Sequence, residues 1–220
     1  MGMIIPFIKN VNFFELAKFM SLQKKSILPK EYKQVEYIES SGTQYIITPF
    51  EYDFGISISE QSKYDITIKG SNVNGTSLCG ANWGGADRAF NLVGIDGKFS
   101  FFMYANNDVI NTGIPVDANI HIWKYIDYNL YCDDTFVGTS GKQSPGGGIR
   151  AIYLFAMNFG NSPVETTGVK RISRFKVDKD NIPVCDMYSC IRKLDNKPGM
   201  YDIITNQFYT NSGTGEFITG

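Results

Sequence analysis

The spacing of apolar residues changes its period once along the chain. From residue 11 to 25, Phe13, Leu16, Ala17 and Met20 recur every three or four positions, and Phe14, Phe19 and Leu22 widen the same stripe. Asn12 suits an N-cap, Glu15 follows three residues later as in a capping box, and Lys24 and Lys25 stand where cations favour the helix dipole. Leu28 precedes Pro29 and so avoids the right-handed helical region, which ends the segment. The spacing predicts one short helix, within an arm of residues 1–27.

After Pro29 the period falls to two. Tyr64, Ile66 and Ile68 alternate with Asp65, Thr67 and Lys69, the pattern of a half-buried strand. Lys98 to Tyr104 is apolar on both faces after Ser100, as a central strand is. Ile149 to Met157 reads as another, with Ile152, Leu154 and Ala156 on one face and Tyr153, Phe155 and Met157 on the other. Turn signals recur between such runs: Asn74-Gly75, Gly84-Gly85, Asp96-Gly97, Asn106 to Asp108, Asp133-Asp134, Gly146 to Gly148, and Asp178 to Asn181. Asp tolerates positive φ, so Asp133-Asp134 reads as a two-residue hairpin turn between Tyr128–Cys132 and Thr135–Gly138. Short strands with this punctuation predict an all-β sandwich or barrel over residues 28–220.

Composition removes alternatives. Lys and Arg total 21 against 22 Asp and Glu, so no strong field draws nucleic acid or anionic lipid. The mild basic cluster of Lys170, Arg171, Arg174 and Lys176 reads as a solvated face, with Arg171 and Arg174 on opposite sides of a strand. The apolar start is broken by Pro6, Lys9, Asn10 and Asn12, which is not a signal-peptide pattern, and no run reaches the roughly 20 apolar residues of a membrane span. These features predict a protein made and kept in a cytoplasm, or released by a route other than secretion.

One histidine, His121, excludes any mechanism or metal site needing two imidazoles in one chain. A thiol-based zinc site would need all of Cys79, Cys132, Cys185 and Cys190, or three of them with His121, and the spacing fits neither common pattern. A domain of this size buries its own core, so the four are expected as reduced, buried thiols, and no metal or cofactor is expected. By alternation His121 shares a face with Trp123 and Tyr125, a structural position. Gly146 to Gly148 lacks the Lys-Ser/Thr ending of a phosphate loop.

Sugars are held by aromatic faces beside amides and carboxylates. Two segments carry that mixture: Asn82, Trp83, Asp87 and Arg88 around a Gly-rich turn, and Tyr104 with Asn106. These six are the candidate carbohydrate-binding residues.

The run Leu28 to Ile46, with Glu36-Tyr37-Ile38-Glu39-Ser40-Ser41-Gly42-Thr43-Gln44-Tyr45, resembles the opening of a family of concanavalin A-like, or laminin-G-like, jelly rolls in phages and prophages of gut bacteria. Gly199 to Ile203 and Phe208 to Phe217 resemble its close, and Leu130-Tyr131-Cys132-Asp133-Asp134 resembles the laminin-G hairpin with Asp134 in place of Gly. The resemblance covers 28–220. It implies a jelly-roll β-sandwich attached in multiple copies to a phage head or tail, assembled in the host cytoplasm, decorating the particle or adhering weakly to a host surface glycan. Phe7, Phe13, Phe14, Leu16, Phe19 and Met20 of the arm would then contact other virion proteins. The fold implies that the end motifs meet in one sheet and that Tyr37, Tyr45, Tyr201, Phe208, Tyr209 and Phe217 interlock there. Laminin-G-like folds can bind calcium, for which Asp96, Asp133 and Asp134 are placed in turns, but turn aspartates serve the backbone by themselves. One group of glycoside hydrolases of this fold uses Glu-x-Asp-x-x-Glu. The nearest match, Glu51 to Ile56, has Ile56 where the second glutamate would stand, so no catalysis is expected.

Overall fold

The structure, a computed structural model, describes residues 26–54, 63–83, 89–103, 109–140 and 147–220. The predicted helix, and with it the six arm residues, lies outside the described residues, as do Asp87, Arg88, Tyr104 and Asn106. Among the described residues there is no helix, only strands. In chain order these are β1 (Tyr32–Gln34), β2 (Ile38–Ser40), β3 (Ile46–Asp53), β4 (Tyr64–Asn72), β5 (Ser77–Asn82), β6 (Ala89–Ile95) and β7 (Lys98–Met103). There follow β8 (Val109–Pro115), β9 (His121–Ile126), β10 (Asn129–Cys132), β11 (Thr135–Thr139), β12 (Ile149–Leu154), β13 (Met157–Phe159) and β14 (Ser162–Val164). The last are β15 (Lys170–Lys179), β16 (Ile182–Arg192), β17 (Lys197–Asp202), β18 (Gln207–Thr210) and β19 (Ile218–Thr219).

They form two sheets. The larger runs β11-β10-β9-β4-β15-β16-β17-β18, with β1 beside β16 and β2 bridging β15 to β19. The smaller runs β14-β13-β5-β6-β7-β8, with β12 joining β3 to β5. Pairing is antiparallel except between β13 and β5. The predicted alternation of β4 holds: Ile66 and Ile68 are buried and Lys69 is exposed. β7 is central, paired on both sides, as its two apolar faces require.

The core lies between the sheets and is largely aromatic. Phe99 and Phe101 of the smaller sheet meet Trp123 and Tyr125 of the larger at ring separations of 4.7 and 5.1 Å. Each such buried ring contributes roughly 1.5–3 kcal/mol by leaving water. Cys79, Cys132, Cys185 and Cys190 are free and buried, as expected.

The Asp133-Asp134 turn forms as predicted, with φ of 49° and 64°, the mirror-image turn that matches strand twist. Asp127-Tyr128 and Asp180-Asn181 repeat that geometry. Tyr128 therefore belongs to a turn, and β10 starts one residue later than the alternation placed it.

Three other expectations are corrected. The strand expected through Met157 stops at Leu154, because Phe155 turns to φ +66° and buries its ring against Phe217 at 4.9 Å. A positive φ on an aromatic residue costs roughly 1–2 kcal/mol, and its N–H donation to the Leu78 carbonyl at 2.7 Å helps hold it. Next, a bulge between Ile172 and Arg174 shifts the register of β15, so Arg171 and Arg174 share one outward face. Arg171 pairs with Glu39 and Arg174 with Asp186, each at 2.7 Å, while Lys170 is wholly buried instead of solvated. Finally, the six end-motif aromatics separate. Tyr201 and Phe208 join Tyr32 in a small cluster with Leu28 and Cys190, Tyr45 stacks on Tyr153, Tyr37 lies under Arg171, Phe217 enters the main core and Tyr209 packs against that core half-buried.

The end motifs do meet. β19 pairs with β2, placing Ile218 opposite Glu39. The two turns interlock: Thr214 Oγ1 bonds Thr43 Oγ1 at 2.7 Å, and Tyr45 N–H donates to Asn211 Oδ1 at 3.1 Å.

Candidate functional site

β5, β6 and β7 turn alternate residues away from the core. Cys79, Ala81, Phe90, Leu92, Phe99 and Phe101 point inward, so Asn82, Ala89, Asn91, Val93 and Phe102 line the outer face. That face carries a groove of about 310 Å³ with an apolar floor. Its polar groups are Asn82, Asn91, Thr76 and Glu165.

The register fixes Asn91. It stands opposite Gly80 on one side and Phe102 on the other. A Cβ on Gly80 would fall 2.7 Å from Asn91 Oδ1, so the glycine makes room for the amide. Ser77 Oγ donates to Asn91 Oδ1 at 2.5 Å, which leaves the amide nitrogen to donate to Glu165 Oε2 at 3.1 Å. The amide orientation is thus set by its two neighbours.

Glu165 is held through its backbone. Its φ is +55°, and its carbonyl accepts from Ser77 N, Thr76 Oγ1 and Lys170 Nζ. Lys170 also donates to the carbonyls of Phe155 at 2.5 Å and Thr166 at 2.8 Å. A buried ammonium thereby fastens the 155–166 segment beneath the groove, and the exposed Glu165 side chain projects from a fixed base. Burial pushes the Lys170 ammonium down to about 7, against the opposing pull of Glu165.

Of the six predicted carbohydrate residues, Asn82 lines the groove. Trp83, one residue on, is half-buried against the core, with the Arg150 guanidinium 3.9 Å over its ring and Gly148 packed on its edge. Asp87, Arg88, Tyr104 and Asn106 lie outside the described residues. The strand ends flanking them, Asn82/Ala89 and Met103/Val109, lie at one end of the smaller sheet. Sequence reasoning missed Asn91 and Glu165. A lone amide in Ala89-Phe90-Asn91-Leu92-Val93 was a readable signal; Glu165 in a loop 74 residues away carried none.

His121 keeps the face predicted for it, edge-on to Phe99 and beside Trp123. Its Nδ1 lies 2.7 Å from Asp133 Oδ2 and its Nε2 3.4 Å from Asp117 Oδ1. Glu51 and Asp53 stand on β3, away from the groove, and Ile56 lies outside the described residues.

No protein-family model matches the chain, and no curated protein matches it.

Proposed function

We propose that the protein is a displayed component of a phage particle: a concanavalin A-like jelly-roll β-sandwich, carried on the particle by residues 1–27, that holds a host surface glycan in the groove of its smaller sheet. The observation that supports glycan binding best is the convergence of Asn91, Asn82 and Glu165 on a groove floored by Phe102, Val93 and Met157. Fixed amides and a carboxylate beside apolar surface are what sugar hydroxyls and ring faces require. Attachment to a particle rests on the resemblance of residues 28–46 and 199–217 to phage jelly rolls, and on the apolar stripe of the arm.

Binding is favoured over hydrolysis. A retaining glycosidase places two carboxyl groups roughly 5–5.5 Å apart, and Glu165 is the only carboxylate among the described residues lining the groove. Weak single-site binding suffices where copies are repeated on one particle. Among the described residues no helix is long and apolar enough to cross a membrane.

The test is a glycan array of host-surface polysaccharides probed with the wild type and with Glu165→Gln and Asn91→Ala. Binding that both variants weaken at least tenfold supports the reading. No bound glycan, or binding unchanged in both variants, removes the ligand and leaves decoration alone. Separately, protein lacking residues 1–27 should stay folded yet fail to join particles; its incorporation would overturn the anchoring role.

A further inference from the structure

A second cluster lies at the Asp133-Asp134 turn. His121 begins β9, Cys132 ends β10, and Asp133 opens the turn that follows. Antiparallel pairing sets Cys132 opposite Trp123 and brings Asp133 level with Ile122, to which it is tied twice. Asp133 N–H donates to the Ile122 carbonyl at 2.9 Å, and Ile122 N–H donates to Asp133 Oδ1 at 2.8 Å. With Oδ1 held, Oδ2 faces His121 Nδ1 at 2.7 Å and Cys132 Sγ at 3.7 Å. The three ligand atoms lie within 4.8 Å of one another.

We infer that His121 Nδ1, Cys132 Sγ and Asp133 Oδ2 form a binding site for a zinc-like divalent transition-metal ion, with solvent completing a tetrahedron. Zinc takes sulfur at about 2.3 Å and nitrogen or oxygen at about 2.0–2.2 Å, which the cluster reaches by small rotations of the partly exposed His121 and Asp133 side chains. The thiolate and imidazole select a softer ion than calcium. This site is of a kind that counting thiols against imidazoles passes over, because its third ligand is a carboxylate.

The surroundings already have the form of an outer ligand shell. A histidine bound through Nδ1 carries its proton on Nε2, and Asp117 Oδ1 lies 3.4 Å from that atom. Asp117 is itself fixed by Asn119, whose N–H and Nδ2 donate to its two oxygens at 2.8 and 2.7 Å. A carboxylate behind the imidazole orients it and raises its basicity as a ligand. Nε2 is buried and makes no hydrogen bond. Asp134, by contrast, pairs with Lys124 at 2.5 Å and plays no part.

The Cys132 thiol lies beside the Asp133 carboxylate, its Sγ 3.7 Å from Oδ2. A bound dication makes the thiolate the stable form. On binding, the Sγ–H bond breaks, sulfur keeps the electron pair, and the proton goes to solvent. A neutral imidazole only moves its proton from Nδ1 to Nε2, so one proton leaves per ion bound.

Cobalt(II) is the probe. Titration into reduced, metal-stripped protein should produce a thiolate-to-cobalt charge-transfer band in the near ultraviolet at one equivalent, with about one proton released, and zinc should displace it. Cys132→Ser should abolish the band, His121→Gln should weaken binding at least tenfold, and Asp117→Asn should weaken it about tenfold while keeping the band. Circular dichroism checks that each variant is folded, and the half-buried Asp117 and exposed Asp133 allow Asp117→Asn and Asp133→Asn to decide the matter where the Cys132 or His121 variant does not fold. A wild type with no band, a band that survives Cys132→Ser, or affinity unmoved in Asp117→Asn and Asp133→Asn would overturn the site.

Discussion

The ammonium of Lys170 is buried against the main-chain carbonyl of Phe155, 2.5 Å away, where that aromatic residue adopts a positive φ of 66°. Lys170 has three N–H donors and meets three carbonyls, those of Phe155, Glu165 and Thr166. The lysine therefore performs the linking that a sheet ladder performs elsewhere, across a segment whose ladder is broken. Lys170→Met, of similar length, keeps the packing but takes the lysine donor from the Phe155 and Thr166 carbonyls, each costing roughly 1–3 kcal/mol if water does not reach it, while the Glu165 carbonyl keeps Ser77 N–H and Thr76 Oγ1. A loss of about 2 kcal/mol or more in urea unfolding is expected. A change under 1 kcal/mol would show that the carbonyls find other partners.

The same lysine gives a pH dependence with a definite sign. Its value falls from the ordinary 10.5 to about 7 on folding, chiefly through burial. Between those values the unfolded chain holds the extra proton, so unfolding free energy rises with pH across the window, falls as pH drops from 10.5 towards 7, and gains no further slope from this group below 7. Tyr188 and Tyr201 titrate higher on folding, mainly by burial, and act in the opposite direction at the alkaline end. The measurement is therefore the wild-type stability minus that of Lys170→Met, followed by urea midpoint. That difference should grow from neutral to mildly alkaline pH, and a flat difference would mean that Lys170 stays charged when folded.

How far the sequence went is clearest at particular residues. Alternation placed Ile66, Ile68 and Trp123 correctly because a strand paired on both sides imposes period two without interruption. It failed at Phe155 and at Ser173, where a positive φ and a bulge shift the period by one. Both events depend on distant partners, Lys170 and Phe217 for one and the β4 register for the other. Lys170 looked solvated because nothing local records that three carbonyls converge on it. Asn82, singled out from its neighbours in sequence, lines the groove, whereas Glu165 reaches it only through tertiary pairing with Asn91.

Gly80 provides a third test. A methyl group there would lie 2.7 Å from both Asn91 Oδ1 and the Phe90 carbonyl, and the carbonyl belongs to a paired strand that cannot swing aside. Gly80→Ala is expected to destabilise the fold by roughly 1–3 kcal/mol, as overpacking does. It should also turn the Asn91 amide away from Glu165, so any glycan held in the groove should bind less tightly. A variant of wild-type stability would show that the smaller sheet yields at this position more readily than its close contacts imply.

The final test concerns the closing segment. Phe217 is buried against Phe155, β19 pairs with β2, and the Gln44 amide donates to the Glu216 carbonyl at 3.3 Å. Deleting residues 211–220 removes all three and opens one face of Phe155 to water. Loss of a buried phenylalanine alone costs about 3–5 kcal/mol, against the roughly 5–15 kcal/mol that holds a domain together. The truncated protein is therefore expected to lose its cooperative thermal transition or to aggregate. Phe217→Leu keeps the strand pairing and most of the apolar volume, so it should fold with a loss of no more than about 1–2 kcal/mol. If truncation proves as mild as Phe217→Leu, the clasp between the two end motifs is peripheral. If Phe217→Leu proves as severe as truncation, the Phe155–Phe217 contact itself holds the reversal of the chain at residue 155, and the strand pairing around it adds little.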